Sequence, residues 1–333
     1  MEQNKKILII KIGAMGDILR ITPVVHSLSD FGFQIDILTS RIGKEIFKNN
    51  PFVNNIYILY HKRNFLELFF LLSKLKRVKF NYLINFESFN MIRKFANRLN
   101  ADKIINLNDF FEYINVIELF YLAVNKIMPN SVYNKYSIEI YPSQKDKEKI
   151  DNFLIPFNTK KKIVFHIGSS KTNRLLNKNF NDIRLWDINN YLKTIQKLLE
   201  QNYYIFLIGS KLEKVINRKI KEKINHKNLI IIHNFSLQEL FYFISKCDWF
   251  ISSDTGPAHL AAGTKINQIC LCGPTDAEIS APMKRKNLFI LQKNNENCPP
   301  CYNDITRKND CKKSCINNIT PDDILEIINK NLY

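Results

Sequence analysis

The chain repeats one rhythm: a short apolar run, then a longer stretch in which apolar positions recur every three or four residues. Residues 6–12, 34–39, 82–86 and 103–107 have the length and branched aliphatic content of strands, with amphipathic segments between them. That alternation predicts parallel sheets joined by crossover helices. A polar segment, residues 130–162, interrupts it with Pro142, Pro156 and the charged run 145–149, leaving room for one strand and one helix. The rhythm resumes at 163–166, 204–208, 229–232, 249–251 and 266–272, which predicts a second doubly wound sheet. Thr320 before Pro321, with Asp322 and Asp323 in the first turn, marks the start of a closing helix. A length of 333 residues exceeds one core of usual size. Two α/β domains are therefore expected, 1–155 and 156–333.

Composition narrows the class. A hydrophobic content of 45% fills two cores. The densest apolar stretch, from Phe65 to Leu72, stops at Ser73 and Lys74, well short of the roughly 18 residues a membrane span needs. Residues 7–10 form too short a run for a signal peptide and no small-residue cleavage site follows, so a soluble cytoplasmic protein is expected. A net charge of +18, from 49 Lys+Arg against 31 Asp+Glu, attracts polyanions: nucleic acid, an acidic membrane surface or a phosphorylated substrate. Much of the excess is Lys scattered among Asn and Ile, which a compositional bias of the genome also produces.

Three turns after strands could carry chemistry. Gly13-Ala14-Met15-Gly16-Asp17 joins the first strand to a helical pattern; its glycines allow close approach of a ligand, and free N–H groups at a helix start favour an anion. The spacing is not that of a dinucleotide fingerprint. Asp17 alone also suits a helix start. His166-Ile167-Gly168-Ser169-Ser170, followed by Lys171, Arg174, Lys178 and Arg184, combines hydroxyl and N–H donors with cations as a diphosphate requires, although Ser-Ser is an ordinary turn as well. Ser253-Asp254-Thr255-Gly256-Pro257-Ala258-His259 sets donors and acceptors at the carboxyl end of a strand, where open sheets bind ligands. His259 taken alone is equally a hydrogen-bonded core residue.

These segments, together with Lys11-Ile12, Thr22-Pro23 and Arg184-Leu185-Trp186, occur in the order and spacing of the lipopolysaccharide heptosyltransferases, glycosyltransferase family 9, which the chain resembles over residues 5–330. The resemblance implies a GT-B fold, two Rossmann-like doubly wound parallel-sheet domains facing across a cleft, with acceptor on the N-terminal half and an ADP-heptose-like donor on the C-terminal half. It implies direct displacement with inversion at the anomeric carbon and Asp17 as general base. Donor contacts would come from Ser169, Ser170, Arg184, Glu213, Asp254, Thr255, Gly256 and His259, with Gly13, Gly16 and Lys178 in the loops. No Asp-x-Asp pair occurs in the sequence, which favours chemistry without a catalytic metal. The chain departs from the family in having Arg184 where Lys is usual and a longer, Asn-rich stretch at 171–182.

Seven cysteines in a reducing compartment read as thiols or metal ligands. Cys298-Pro299-Pro300-Cys301 and Cys311-Lys312-Lys313-Ser314-Cys315 have the spacing of a closed tetrahedral sulfur site for zinc or iron, structural in role, and reduced thiols or oxidised pairs are the alternatives. Cys247, Cys270 and Cys272 read as core. The expected function is transfer of a heptose or related sugar to a phosphorylated lipid A-type acceptor during transient contact with the inner face of the cytoplasmic membrane. The rivals are a protein O-heptosyltransferase acting on an autotransporter-like protein, as in iron-containing relatives with similar cysteine clusters, a sugar-nucleotide epimerase, and a nucleic-acid-binding protein. No recognised nucleic-acid module appears, so no such partner is expected. The main expectation sets Asp17 and the Asp254-Thr255-Gly256 turn facing one another across a groove wide enough for an activated sugar.

Overall fold

The computed structural model describes residues 5–61, 64–109, 114–129, 135–168, 183–211, 213–294, 299–301 and 314–331. They divide into two compact units, Met1–Ser143 and Gln144–Tyr333.

The first unit is built on a five-stranded sheet of β1 (Lys6–Lys11), β2 (Gln34–Thr39), β3 (Val53–Ile58), β4 (Phe80–Asn85) and β5 (Ala101–Asn106), in the order β3-β2-β1-β4-β5. Every pairing is parallel, so each strand needs a crossover and the helices cover the faces. The chain steps outward from β1 to β3, then returns to place β4 on the other side of β1. The strand order therefore reverses between β1 and β4, and their register brings Ile10 beside Asn85, so the residues that follow both strands emerge together.

The helix Phe65–Leu75 shows how the core forms. Asn64 caps it by accepting from the N–H groups of Leu66 and Glu67. Leu68 and Leu75, with Leu71 and Leu72 beside them, pack into a cluster with Leu8, Ile10, Leu38, Leu83 and Phe95. Burying each such side chain contributes about 1.5–3 kcal/mol, against about 0–1 kcal/mol for an exposed ion pair such as Lys284–Glu278. The core, not surface charge, decides the fold. The opposite side of the same helix is unusual: Phe65, Leu66, Phe69 and Phe70 stand in solvent, 75%, 72%, 66% and 70% exposed.

The second unit has six parallel strands: β6 (Lys162–His166), β7 (Tyr204–Ile208), β8 (Leu229–Ile232), β9 (Trp249–Ser253), β10 (Asn267–Cys272) and β11 (Leu288–Gln292), ordered β11-β10-β9-β6-β7-β8. The reversal falls between β6 and β9, whose register places His166 beside Ser252. The helix Ile188–Glu200 starts at Asp187, which accepts from Asn189 N–H, and buries Tyr191, Ile195, Leu198 and Leu199 against the sheet. Thr320 and Asp323 form the reciprocal cap of the closing helix Pro321–Lys330, as the sequence predicts.

Two strands and one boundary depart from expectation. β3 and β11 are edge strands that the hydrophobic pattern misses: Asn54 and Asn55 interrupt β3, and every residue of β11 is only half-buried. The boundary expected at 155/156 lies at 143/144. The helix Gln144–Leu154 belongs to the second unit because Lys149 pairs with Glu239 at 2.7 Å and Phe153 packs its ring among Phe206, Phe235 and Phe243. No strand forms among the described residues of the polar segment preceding it.

Candidate active site

In the first unit the turn after β1 meets the residues that follow β4. The helix Met15–Leu19 begins after Ala14, which makes no side-chain cap, and Asp17 lies in its first turn without capping it. Its carboxylate is 45% exposed, with Oδ1 3.7 Å from an Arg20 guanidinium nitrogen that is itself nearly buried. Gly13 makes room for this arrangement: a Cβ there would stand 2.9 Å from the Asp17 Cβ and 3.0 Å from its Oδ2, inside contact distance. Gly16 is buried in the same short helix.

Beneath the turn, Glu87 was not singled out in the sequence. Its buried Oε1 accepts from Ile12 N–H at 2.8 Å and lies 3.5 Å from Lys11 Nζ, which also donates to the Phe86 carbonyl at 2.9 Å. A carboxylate two residues past the end of β4 thus fixes the end of β1 at the reversal point. The signal lay in the sequence as an acid after a predicted strand, but only the strand order makes β4 the neighbour of β1.

In the second unit the candidates gather on one imidazole. His166 ends β6; its Nε2 lies 3.1 Å from Glu213 Oε1, and its Nδ1 lies 3.3 Å from Thr255 Oγ1. Glu213 Oε2 accepts from Ser210 N–H at 2.6 Å. Only 6% of Glu213 is exposed, and its side chain runs between Gly168 and Gly209, where an added Cβ would meet it at 2.1 Å and 2.9 Å. Burial alone would push the Glu213 carboxyl up, yet the His166 imidazole and the Ser210 N–H outweigh it and hold the group below its ordinary value. An ionised carboxylate only accepts, so Nε2 holds the proton in the neutral imidazole. Nδ1 is then an acceptor 3.3 Å from the Thr255 hydroxyl, whose one hydrogen is also within reach of the Ser253 carbonyl at 3.2 Å. The result is a cluster of Thr255, His166 and Glu213 that joins the ends of β6, β7 and β9.

Asp254 and His259 are close by. Asp254 Oδ2 accepts from Ser280 Oγ at 3.1 Å, and Oδ1 lies 3.7 Å from His259 Nε2; both residues are buried. Thr255 is the extended residue before the helix Gly256–Ala262, in which Pro257 occupies the second position. Arg184 is half-buried, held between the core residues Ile183, Leu185 and Trp186, whose indole donates to the Ile319 carbonyl at 2.8 Å. Ser169, Ser170 and Lys178 lie outside the described residues.

Of the predicted metal ligands, Cys298 and Cys311 also lie outside the described residues. Cys301 and Cys315 are buried. The N–H of Cys301 donates to the Pro274 carbonyl at 2.8 Å, and Ile316, next to Cys315, stands where a Cβ on Gly273 would reach it at 2.9 Å. The segments that carry these two cysteines are thus both anchored on the turn after β10. Cys247, Cys270 and Cys272 are core residues as expected.

The comparisons agree with this architecture. The family model described as Glycosyltransferase family 9 (heptosyltransferase) matches residues 114–312. Lipopolysaccharide heptosyltransferase 1 of Campylobacter coli is 24% identical over 359 aligned residues, covering 98% of this chain and 99% of the relative. Among solved structures, the glycosyl transferase family 9 from Veillonella parvula superposes with a TM-score of 0.84 at 14% identity, covering 99% of this chain and 98% of that one. E. coli heptosyltransferase WaaC with ADP superposes with a TM-score of 0.71 at 15% identity, covering 98% and 99%. Structural likeness at such identities speaks for the fold, two parallel-sheet α/β units as in GT-B enzymes. With the family model matching more than half of its length, the chain belongs to glycosyltransferase family 9, the heptosyltransferase family, and is a glycosyltransferase.

Proposed function

We propose that the protein transfers a heptose, or a closely related sugar, from an ADP-activated donor to a lipopolysaccharide inner-core acceptor of the lipid A type, with inversion at the anomeric carbon. One observation carries the proposal. The Gly13–Asp17 turn and the Asp254-Thr255-Gly256 turn each stand where the strand order of a doubly wound sheet reverses, the position at which such sheets receive ligands. Relatives named as lipopolysaccharide heptosyltransferases and a neighbour solved with ADP support the choice of substrates.

In this mechanism the acceptor oxygen attacks the anomeric carbon, the bond from that carbon to the diphosphate breaks, and the acceptor proton passes to the Asp17 carboxylate. Arg20, 3.7 Å away, orients that carboxylate. Charge growing on the departing nucleotide is met by fixed donors: the Thr255 and Gly256 backbone, Ser169, Ser170, Arg184 and Lys178. Asp254 and His259 hold the sugar or phosphate. Glu213 contributes to the nucleoside side while supporting His166. No catalytic metal takes part. A zinc or iron ion held by Cys298, Cys301, Cys311 and Cys315 would be structural, tying the segment around residues 298–315 to the turn after β10. Metal analysis of the purified protein tests this, and a loss of metal on Cys315→Ser is expected.

The decisive experiment measures ADP release from an ADP-heptose donor with a lipid A-type acceptor. Asp17→Asn should keep the melting temperature and ADP binding while transfer falls by about 10²–10⁴-fold, the usual weight of a general base. Turnover close to wild type in this variant refutes the assignment of the base. Thermal stabilisation across a panel of nucleotide sugars identifies the nucleotide, because a ligand of the native state raises its stability.

A further inference from the structure

The outward face of the helix Phe65–Leu75 serves neither the core nor the candidate site. Its inward leucines, at positions 68, 71, 72 and 75, already form a complete apolar stripe. A helix with that stripe ordinarily turns charge to the solvent, but here Phe65, Leu66, Phe69 and Phe70 lie on the other side, each at least two-thirds exposed or nearly so. The single acid of the helix is withdrawn: Glu67 accepts from the N–H groups of Tyr60 and His61 and is largely covered. What remains around the aromatic face is cationic. Lys74, Lys76 and Arg77 are exposed at its end, and Arg41 stacks on the half-exposed ring of Tyr60, 4.7 Å from its centroid, near the start.

Apolar side chains flanked by cations, with no acid turned outward, complement a negatively charged lipid surface: the rings enter the interfacial layer and the cations meet the headgroups. Topology gives the face a direction. In a parallel sheet the helix after β3 begins at the carboxyl end of the strands, so Phe65 and Leu66 stand on the same rim of the first unit as Asp17. We infer that this face docks the protein on an anionic bilayer, with the carboxyl rim of its first unit bordering the contact at the Phe65 end, where a membrane-held acceptor would be within reach. The inference extends the proposed lipid-linked acceptor, but the vesicle binding that decides it is measured without sugar transfer, so either can fail alone.

The test uses the full chain and vesicles of phosphatidylcholine with and without phosphatidylglycerol. Wild type should sediment with the anionic vesicles, release with rising salt, and ignore neutral ones. A variant carrying Phe65→Ser, Phe69→Ser and Phe70→Ser should lose vesicle affinity by about tenfold or more, as expected when buried apolar area is removed. It should keep its melting temperature, and its transfer to a water-soluble deacylated acceptor should match wild type. Lys76→Glu with Arg77→Glu should abolish the preference for anionic vesicles. Failure of wild type to bind them, or equal binding by the triple-serine variant, overturns the inference. So does a wild-type dimer in sedimentation velocity that the triple-serine variant converts to monomer, because the face would then be covered by a second copy of the chain.

Discussion

Glu213 Oε1 lies 3.1 Å from His166 Nε2, and the pair is buried between two glycines at the carboxyl ends of β6 and β7. Each partner explains the other: the carboxylate is tolerated because two N–H groups meet it, and the imidazole is held in one tautomer because the carboxylate only accepts. That tautomer presents Nδ1 as an acceptor beside the Thr255 hydroxyl, whose hydrogen is also within reach of the Ser253 carbonyl.

Glu213→Gln tests the energetics of this pair. The folded-state carboxyl is held below its ordinary value of 4.5, so its contribution is fully present above that value and drains away as pH falls through the lower, folded value. Urea unfolding at pH 7 should show the variant less stable by about 1–3 kcal/mol, the range for a lost charge-assisted hydrogen bond. The deficit should narrow as pH is lowered below 4.5. A deficit that grows on acidification would contradict the assigned direction.

Thr255→Val isolates the hydroxyl, because the two side chains are nearly the same size. The expected outcome is a donor KM or ADP Kd raised about five- to tenfold, equivalent to about 1 kcal/mol. The melting temperature should move by only a few degrees. Unchanged donor affinity would show that the hydroxyl merely completes the turn.

Gly13→Ala separates placement from chemistry. The added Cβ would sit 2.9 Å from the Asp17 Cβ, which cannot yield by a simple rotation, so the carboxylate must shift. A displacement of this kind costs kcat about 10²-fold, while ADP binding, proposed for the second unit, should remain. Single-turnover transfer combined with ADP titration reads both quantities.

The internal thiols should be chemically silent in the native protein. Burial pushes Cys247 up, and Cys270 is held well above the ordinary range by its contact with the Cys272 sulfur at 3.8 Å and by burial. Alkylation at pH 8 followed by peptide mapping should find both unmodified until denaturant is added. Rapid labelling of either would mean that the second sheet opens locally.

Much of this was legible in the sequence because central parallel strands are covered on both faces. β1, β6, β7 and β9 are nearly unbroken apolar runs, and the turns that follow them contain Asp17, His166 and Asp254. The edge strand β3 lacks that signature, because Asn54 and Asn55 hid it from any rule based on hydrophobic continuity. The helix Gln144–Leu154 reads correctly as a helix, but its allegiance depends on Phe153 finding Phe206, Phe235 and Phe243, a contact across more than fifty residues that no local pattern encodes. Glu87, and the pairing of His166 with Glu213 and Thr255, were obscure for the same reason. Their partners are fixed by strand order rather than by spacing along the chain.

The slot that encloses Glu213 has an evolutionary corollary. Because Gly168 and Gly209 leave no space beyond what the carboxylate chain fills, the three positions form one mutational unit: a methyl group at 168 is admissible only if the side chain at 213 loses its outer atoms, and one at 209 meets the Cβ of residue 213 itself. Selection from a library randomised at 168, 209 and 213 should therefore return correlated triplets, with glycine walls around Glu, a bulkier residue at 168 only beside Ala or Gly at 213, and one at 209 only beside Gly, instead of independent preferences at each site.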